Sequence, residues 1–158
     1  MNTIKAVRAR GLLCSLLGVL MLWAAVSKLA NPTDFLGSIY AYQIPLPRLW
    51  LQCVAIVLPW VELLCGLLLM ARLWTESALW LLTGMLIVFV IATGQAWARG
   101  LDIACGCFSL AMLGISAQLP ALERFLESVA FAFFRNLALL ALAGFLLRQV
   151  ARAPQPPA

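Results

Sequence analysis

"WLQCVAIVLPWVELLCGLLLMA", residues 50–71, is the stretch on which the fold turns, and only one of its side chains, Glu62, is charged. An α-helix rises about 1.5 Å per residue and roughly 20 apolar residues cross the hydrocarbon core of a bilayer, so this stretch reads as a membrane-spanning helix. Pro59 has no backbone N–H to donate and should kink that helix just before Trp60 and Glu62. A carboxylate facing lipid near the middle of a span costs about 3 kcal/mol or more, so Glu62 is expected to face other helices and to meet a cation or be protonated. Its candidate partners are Lys28 and Arg135. Its role is either a buried ion pair that sets helix register, or that of a proton carrier or a group tuning a cofactor or thiolate.

Three further apolar segments share this character, at about residues 11–30, 77–98 and 128–150. The 158 residues are 65% hydrophobic and 11% charged, against about half and a quarter in a soluble domain, and their mean hydropathy is +1.01. The first segment follows Lys5, Arg8 and Arg10 as a signal peptide would. Its apolar run, however, exceeds the roughly 7–15 residues of such a region, and Cys14 lies too early for a lipoprotein site, so it reads as a span. The expected fold is an all-α integral membrane protein. Residues 1–150 form a single four-helix membrane domain with a long outer loop between the third and fourth spans, and residues 151–158 form a disordered cytoplasmic tail.

The positive charges orient the bundle. With the N-terminus inside, Lys5, Arg8, Arg10, Arg72, Arg148 and Arg152 face the cytoplasm, and Lys28, Arg48, Arg99, Arg124 and Arg135 lie across the membrane. Asp34, Asp102, Glu123 and Glu127 fall on that outer side as well. Both chain ends are then expected in the cytoplasm, and residues 102–108, "DIACGCF", on the outer face, which in bacteria is an oxidising compartment. The net charge of +5 is dispersed, with no basic stripe between aromatics, which argues against nucleic-acid binding. The absence of histidine removes the commonest metal ligand and general base of neutral pH.

In the connection 31–49, Asn31 and Pro32 end the first helix, Thr33 or Asp34 can cap a short turn, and Pro45 and Pro47 impose extended backbone. Phe35, Tyr40 and Tyr42 suit a membrane interface. The short turn at residues 72–76 makes the second and third spans antiparallel neighbours. Thr83, Gly84, Thr93 and Gly94 offer small surfaces for close helix approach. Residues 109–127 are apolar but broken by Gly114 and Pro120, as a re-entrant or surface-lying segment would be.

Cys105 and Cys107 flank Gly106. A disulfide between them would close a small, strained ring, and strained, exposed disulfides serve in exchange and not as staples. Glycine supplies the backbone freedom such a ring needs. The same pair could instead bind a soft metal such as Cu(I) or Zn, or be two free thiols; no metal site is assigned. Cys14 and Cys65 read as small buried hydrophobes, whereas Cys53 shares the outer level with the thiol loop, where a relay to it is conceivable. Arg135 near the loop would lower a thiol pKa. Lys28, Arg99 and Asp102 at the outer interface would snorkel or cap.

In order, "SKLANPTDFLGSIYAYQIPLP", "LPWVELLCGLLL", "RGLDIACGCFS" and "FFRNLALLALAG" resemble the MauE, methylamine-utilisation, branch of the DoxX-like redox-associated membrane proteins. The resemblance runs from Ser27 to about Gly144 and singles out Lys28, Pro59, Trp60, Glu62, Gly100, Asp102, Cys105, Gly106, Cys107, Phe108, Arg135 and Asn136. The chain departs from the pattern at Ala104, where an acid is expected, and at Ser109, where glycine is usual. The resemblance implies an inner-membrane protein that matures the disulfide-rich small subunit of methylamine dehydrogenase with a periplasmic thioredoxin-like partner. The resulting expectation is a membrane thiol–disulfide redox protein using Cys105 and Cys107 as catalytic residues, supported by Lys28, Glu62, Asp102 and Arg135. A membrane quinone is its candidate electron donor or acceptor, although no residue in the sequence marks a quinone site. The competing expectations are a non-catalytic scaffold for maturation and a transporter of small solutes or metals.

Overall fold

The computed structural model describes residues 2–101, 126 and 128–151, with only the backbone of residues 2–7. Among the described residues the chain forms five helices and no strand: α1 (Asn2–Ala30), α2 (Pro32–Ala41), α3 (Arg48–Ala71), α4 (Thr75–Ala98) and α5 (Val129–Ala151). All but α2 contain an apolar span of 23 or 24 residues, about 35 Å of helix, enough to cross a bilayer core of about 30 Å. The protein is therefore a multi-pass, four-helix membrane bundle.

α1 begins well before the apolar run at residue 11, taking in Lys5, Arg8 and Arg10, because Lys and Arg are good helix formers. The connection after it differs from the expected short turn. It forms the ten-residue helix α2 with Pro32 in its first turn, where the missing N–H costs nothing. The N-cap position is Asn31, without a side-chain capping bond, and not Thr33 or Asp34. Phe35 and Ile39, one helical turn apart, are buried against Leu51 of α3, and this packing makes the segment a helix. Pro47 is extended, as expected, and leads directly into α3, which continues through buried Pro59.

The closest pairings are α1 with α3 and α4 with α5, while consecutive α3 and α4 touch more lightly. Lipid tails are as apolar as leucine, so close backbone approach and polar contacts must set helix register. Between α1 and α3 the approach is through glycine. A Cβ added to Gly66 would stand 2.9 Å from the Leu22 Cγ and 3.0 Å from the Gly18 carbonyl oxygen, and one added to Gly18 would stand 2.9 Å from the Gly66 carbonyl oxygen. On α4, Gly94 does accept a neighbour, Phe133 of α5, at 3.0 Å from its added Cβ. Gly84 does not: nothing lies within 4 Å of it, and it lines an open groove between α3 and α4. Thr83 and Thr93 donate back to the carbonyls of Leu79 and Phe89 in their own helix, each at 2.7 Å.

Arg10 and Cys14 of α1, Arg72, Thr75 of α4 and Val150 of α5 line one cavity, so the start of α1 and the end of α5 share one end of the bundle. The opposite end holds α2 and the last residues of α4. The connection 102–127, apart from Leu126, and the tail 152–158 lie outside the described residues, and so do the re-entrant segment and the disordered tail read from the sequence.

Gly66→Val should lower stability by about 1–3 kcal/mol, the usual consequence of overfilling a close-packed site, whereas Gly84→Ala should leave it unchanged. Thermal unfolding of the two variants in lipid nanodiscs checks the contrast.

Candidate functional site

Glu62 stands 2–3 residues past the middle of α3, about 4 Å along the axis. Helical side chains lean toward the N-terminus of their own helix, and α1 and α3 run antiparallel, so Lys28 and Glu62 lean toward each other. That lean closes a considerable gap. Lys28 lies ten residues beyond the Gly18 crossing on α1, while Glu62 lies only four short of Gly66 on α3. The Lys28 Nζ donates to both carboxylate oxygens, at 2.5 Å to Oε1 and 2.7 Å to Oε2. Lys28 is 2% exposed and Glu62 1%.

The ammonium also faces two rings, with the centroid of Phe35 at 5.2 Å and that of Phe89 at 5.1 Å. Both are within the roughly 6 Å range of a cation–π attraction. One lysine of α1 therefore contacts α3 through Glu62, α2 through Phe35 and α4 through Phe89. Of the two partners expected for Glu62, the structure selects Lys28. Arg135 of α5 lines the same cavity, of about 90 Å³, together with Lys28, Glu62, Phe89 and Asn136.

A second cavity of about 180 Å³ lies under α2, walled by Phe35, Ile39, Leu58 and Phe89. Arg135 and Asn136 line it as well, so the two spaces share these polar residues. Asn136 is 6% exposed.

The end of α4 is built to release the chain at this level. Gly100 adopts φ +66. The Gly100 N–H donates to the Trp97 carbonyl at 2.9 Å, and the Leu101 N–H donates to the Ala96 carbonyl at 3.0 Å. This pair of bonds is a Schellman motif, in which glycine takes the left-handed position at no steric cost. Leu101 packs on Ala96, Val129 and Ala132, which closes the motif with an apolar contact between α4 and α5. Arg99, expected to snorkel or cap, caps the end of α2 by donating to the Tyr42 carbonyl at 3.4 Å, and it also donates to the Gln43 side chain at 2.9 Å.

The sequence-predicted residues thus separate. Lys28, Glu62 and Arg135 meet at one cavity. Asp102, Cys105, Gly106 and Cys107 lie outside the described residues. Cys14 and Cys65 are buried. Cys53 is exposed on the groove between α3 and α4 beside Trp50 and Trp80. Pro59 is buried, and Trp60 points outward at 58% exposure. Among the described residues no three of Cys, Asp and Glu come together as metal ligands. The part played by Phe35 and Phe89 is absent from the sequence reading: Phe35 reads only as an interfacial aromatic, and Phe89 is one apolar residue in a helix that is apolar all round.

Lys28→Met should lower stability by about 3–5 kcal/mol because it strands a buried carboxylate, while Lys28→Met with Glu62→Leu should recover most of that loss. Unfolding of both variants in mixed micelles measures the difference.

No curated protein and no solved structure matches the chain. A family model described as methylamine utilisation protein MauE matches residues 5–149 and so takes in the spans, the Lys28–Glu62 pair, Arg135 and Asn136, and the Cys105-Gly106-Cys107 segment. A match over nearly the whole length of a four-span bundle makes this chain a membrane protein of the MauE family.

Proposed function

We propose that the protein exchanges thiols and disulfides through Cys105 and Cys107 on the outer face of the bacterial inner membrane. The exchange supports disulfide formation in an exported client. Family membership points to methylamine utilisation; the client in this reading is the small subunit of methylamine dehydrogenase and the partner a periplasmic thioredoxin-like protein. The observation that carries the reading is the Cys-Gly-Cys spacing, seven residues beyond the end of α4 in a chain that matches MauE throughout. The orientation rests on the lysines and arginines, with both ends of the chain in the cytoplasm.

In the exchange, the thiolate of one cysteine attacks a disulfide sulfur of the partner, forming a mixed disulfide and releasing one partner thiolate. The second cysteine then attacks its neighbour's sulfur in the mixed disulfide. This closes Cys105–Cys107 and releases the partner with both thiols reduced, so two electrons have passed to the partner. The reverse sequence passes two electrons from the partner's thiols into the Cys105–Cys107 disulfide, and it is the direction that disulfide formation requires. Lys28 and Glu62 hold the helices that frame this end of the bundle.

A membrane quinone fits as the acceptor in that direction. The apolar cavity under α2 would take its ring, and Asn136 on its wall would supply an amide donor. A quinone, when bound, takes up two electrons and two protons. Asn136→Leu should weaken binding of a short-chain quinone about five- to tenfold, the value of one buried hydrogen bond. Tryptophan fluorescence titration of the purified protein reads this loss.

The transporter reading draws on the cavity that Glu62 and Arg135 share. Against it, Lys28 occupies both carboxylate oxygens. It requires flux in vesicles that depends on Glu62 and ignores thiol blockers. The direct test of exchange is trapping with Cys105→Ser and Cys107→Ser separately. One of them should accumulate a mixed disulfide with a thioredoxin-like protein. If neither does, and the double substitution leaves client maturation intact with the protein inserted, the scaffold reading replaces this one.

A further inference from the structure

The end of the bundle away from α2 holds a cavity of about 240 Å³ lined by Arg10, Gly11, Cys14, Arg72, Thr75 and Val150. Arg10 and Gly11 open the apolar part of α1, Arg72 caps α3 and Thr75 starts α4, so the cavity lies where the spans leave the hydrocarbon. Two guanidinium groups converge on it, and neither forms an ion pair with an acid among the described residues. Glu76, in the first turn of α4, forms none either.

The approach of Arg72 is built into the backbone. A Cβ added to Gly11 would stand 2.7 Å from the Arg72 Nη2 and 2.9 Å from its Cζ, so the guanidinium lies directly on α1 over Gly11. Arg72 itself has φ +56 and ends α3 in the left-handed conformation. Beside it, Thr75 lines the cavity, and the first backbone amide of α4 with a helical partner is that of Ala78, which donates to the Trp74 carbonyl. Trp74 contributes no side-chain cap.

Two like charges held at one cavity repel unless an anion sits between them, and guanidinium forks match phosphate oxygens bidentately. We propose that this cavity binds a phosphate group, with Arg10 and Arg72 as its two cationic ligands and the Thr75 hydroxyl as a neutral donor. The depth of the cavity, at the ends of the spans, fits the phosphate of an anionic phospholipid whose acyl chains run along the bundle. Free inorganic phosphate shares the chemistry.

The test uses the full-length protein in nanodiscs. In discs of phosphatidylcholine with phosphatidylglycerol, native mass spectrometry counts the phosphatidylglycerol retained on the protein. In pure phosphatidylcholine discs, inorganic phosphate is added and the shift in unfolding temperature is read. Arg10→Gln and Arg72→Gln should each reduce retention about fivefold, in line with one juxtamembrane cation apiece. Arg148→Gln, at the same end but not lining the cavity, should leave retention unchanged. Gly11→Leu, which displaces the guanidinium without altering charge, should reduce it as the arginine variants do. A phosphate-dependent shift lost in both arginine variants, without selective lipid retention, supports the same site with free phosphate as its ligand. The proposal is overturned if Arg148→Gln matches the other two, since retention then reflects surface charge alone. It is equally overturned if neither arm depends on Arg10 and Arg72 in variants that unfold at the wild-type temperature.

Discussion

Lys28 and Glu62 can occupy the middle of an oily bundle only as a pair, and the rest of the fold is arranged so that they meet. A carboxylate or an ammonium alone at that depth would be strongly disfavoured. Together they are neutral, and the ammonium gains two aromatic faces. Meeting requires that α1 and α3 come within glycine-to-glycine distance at Gly18 and Gly66, and that the helices run antiparallel so that the two side chains lean together. It also draws α2 over the bundle through Phe35 and positions α4 through Phe89. In a membrane, where apolar contact with lipid is as favourable as apolar contact with protein, such a polar junction can set the register that a water-driven core would set in a soluble protein.

What could be read beforehand follows from the same physics. Four spans were visible because length and hydropathy suffice to place them, and the burial of Glu62 was visible because a charge in a span has nowhere else to go. Its partner was not. Choosing between Lys28 and Arg135 depends on which helices pair and which way their side chains lean, and neither is written in residue spacing. Gly84 drew attention as a packing residue and Gly18 and Gly66 did not, because a helix apolar on every side carries no stripe to say which glycine faces a neighbour. α2 was hidden for a related reason. "PTDFLGSIYA" has mixed composition, and it becomes a helix because Phe35 and Ile39 find Leu51 beneath them.

The two ends of the bundle are built differently. One carries α2, the Arg99 bridge between α4 and α2, and a Schellman motif at Gly100 that releases the chain just before Asp102. The other carries arginines, one of them seated on Gly11. On the proposed reading this polarity has chemical meaning. Thiol exchange is assigned to the side on which α4 ends, and phosphate binding to the arginine end. Membership of the MauE family supplies the context of methylamine utilisation, and the cysteine spacing supplies the chemistry.

The central claim is that Cys105 and Cys107 cycle between thiol and disulfide in the living membrane. Rapid acid quenching of intact cells, followed by alkylation with a mass-tagged maleimide, reports the state of these two cysteines directly once Cys14, Cys53 and Cys65 are replaced by alanine. Both oxidised and reduced forms should be present in growing cells, and the balance should move to one form when the thioredoxin-like partner is deleted. Two thiols that stay fully reduced with and without the partner would contradict it.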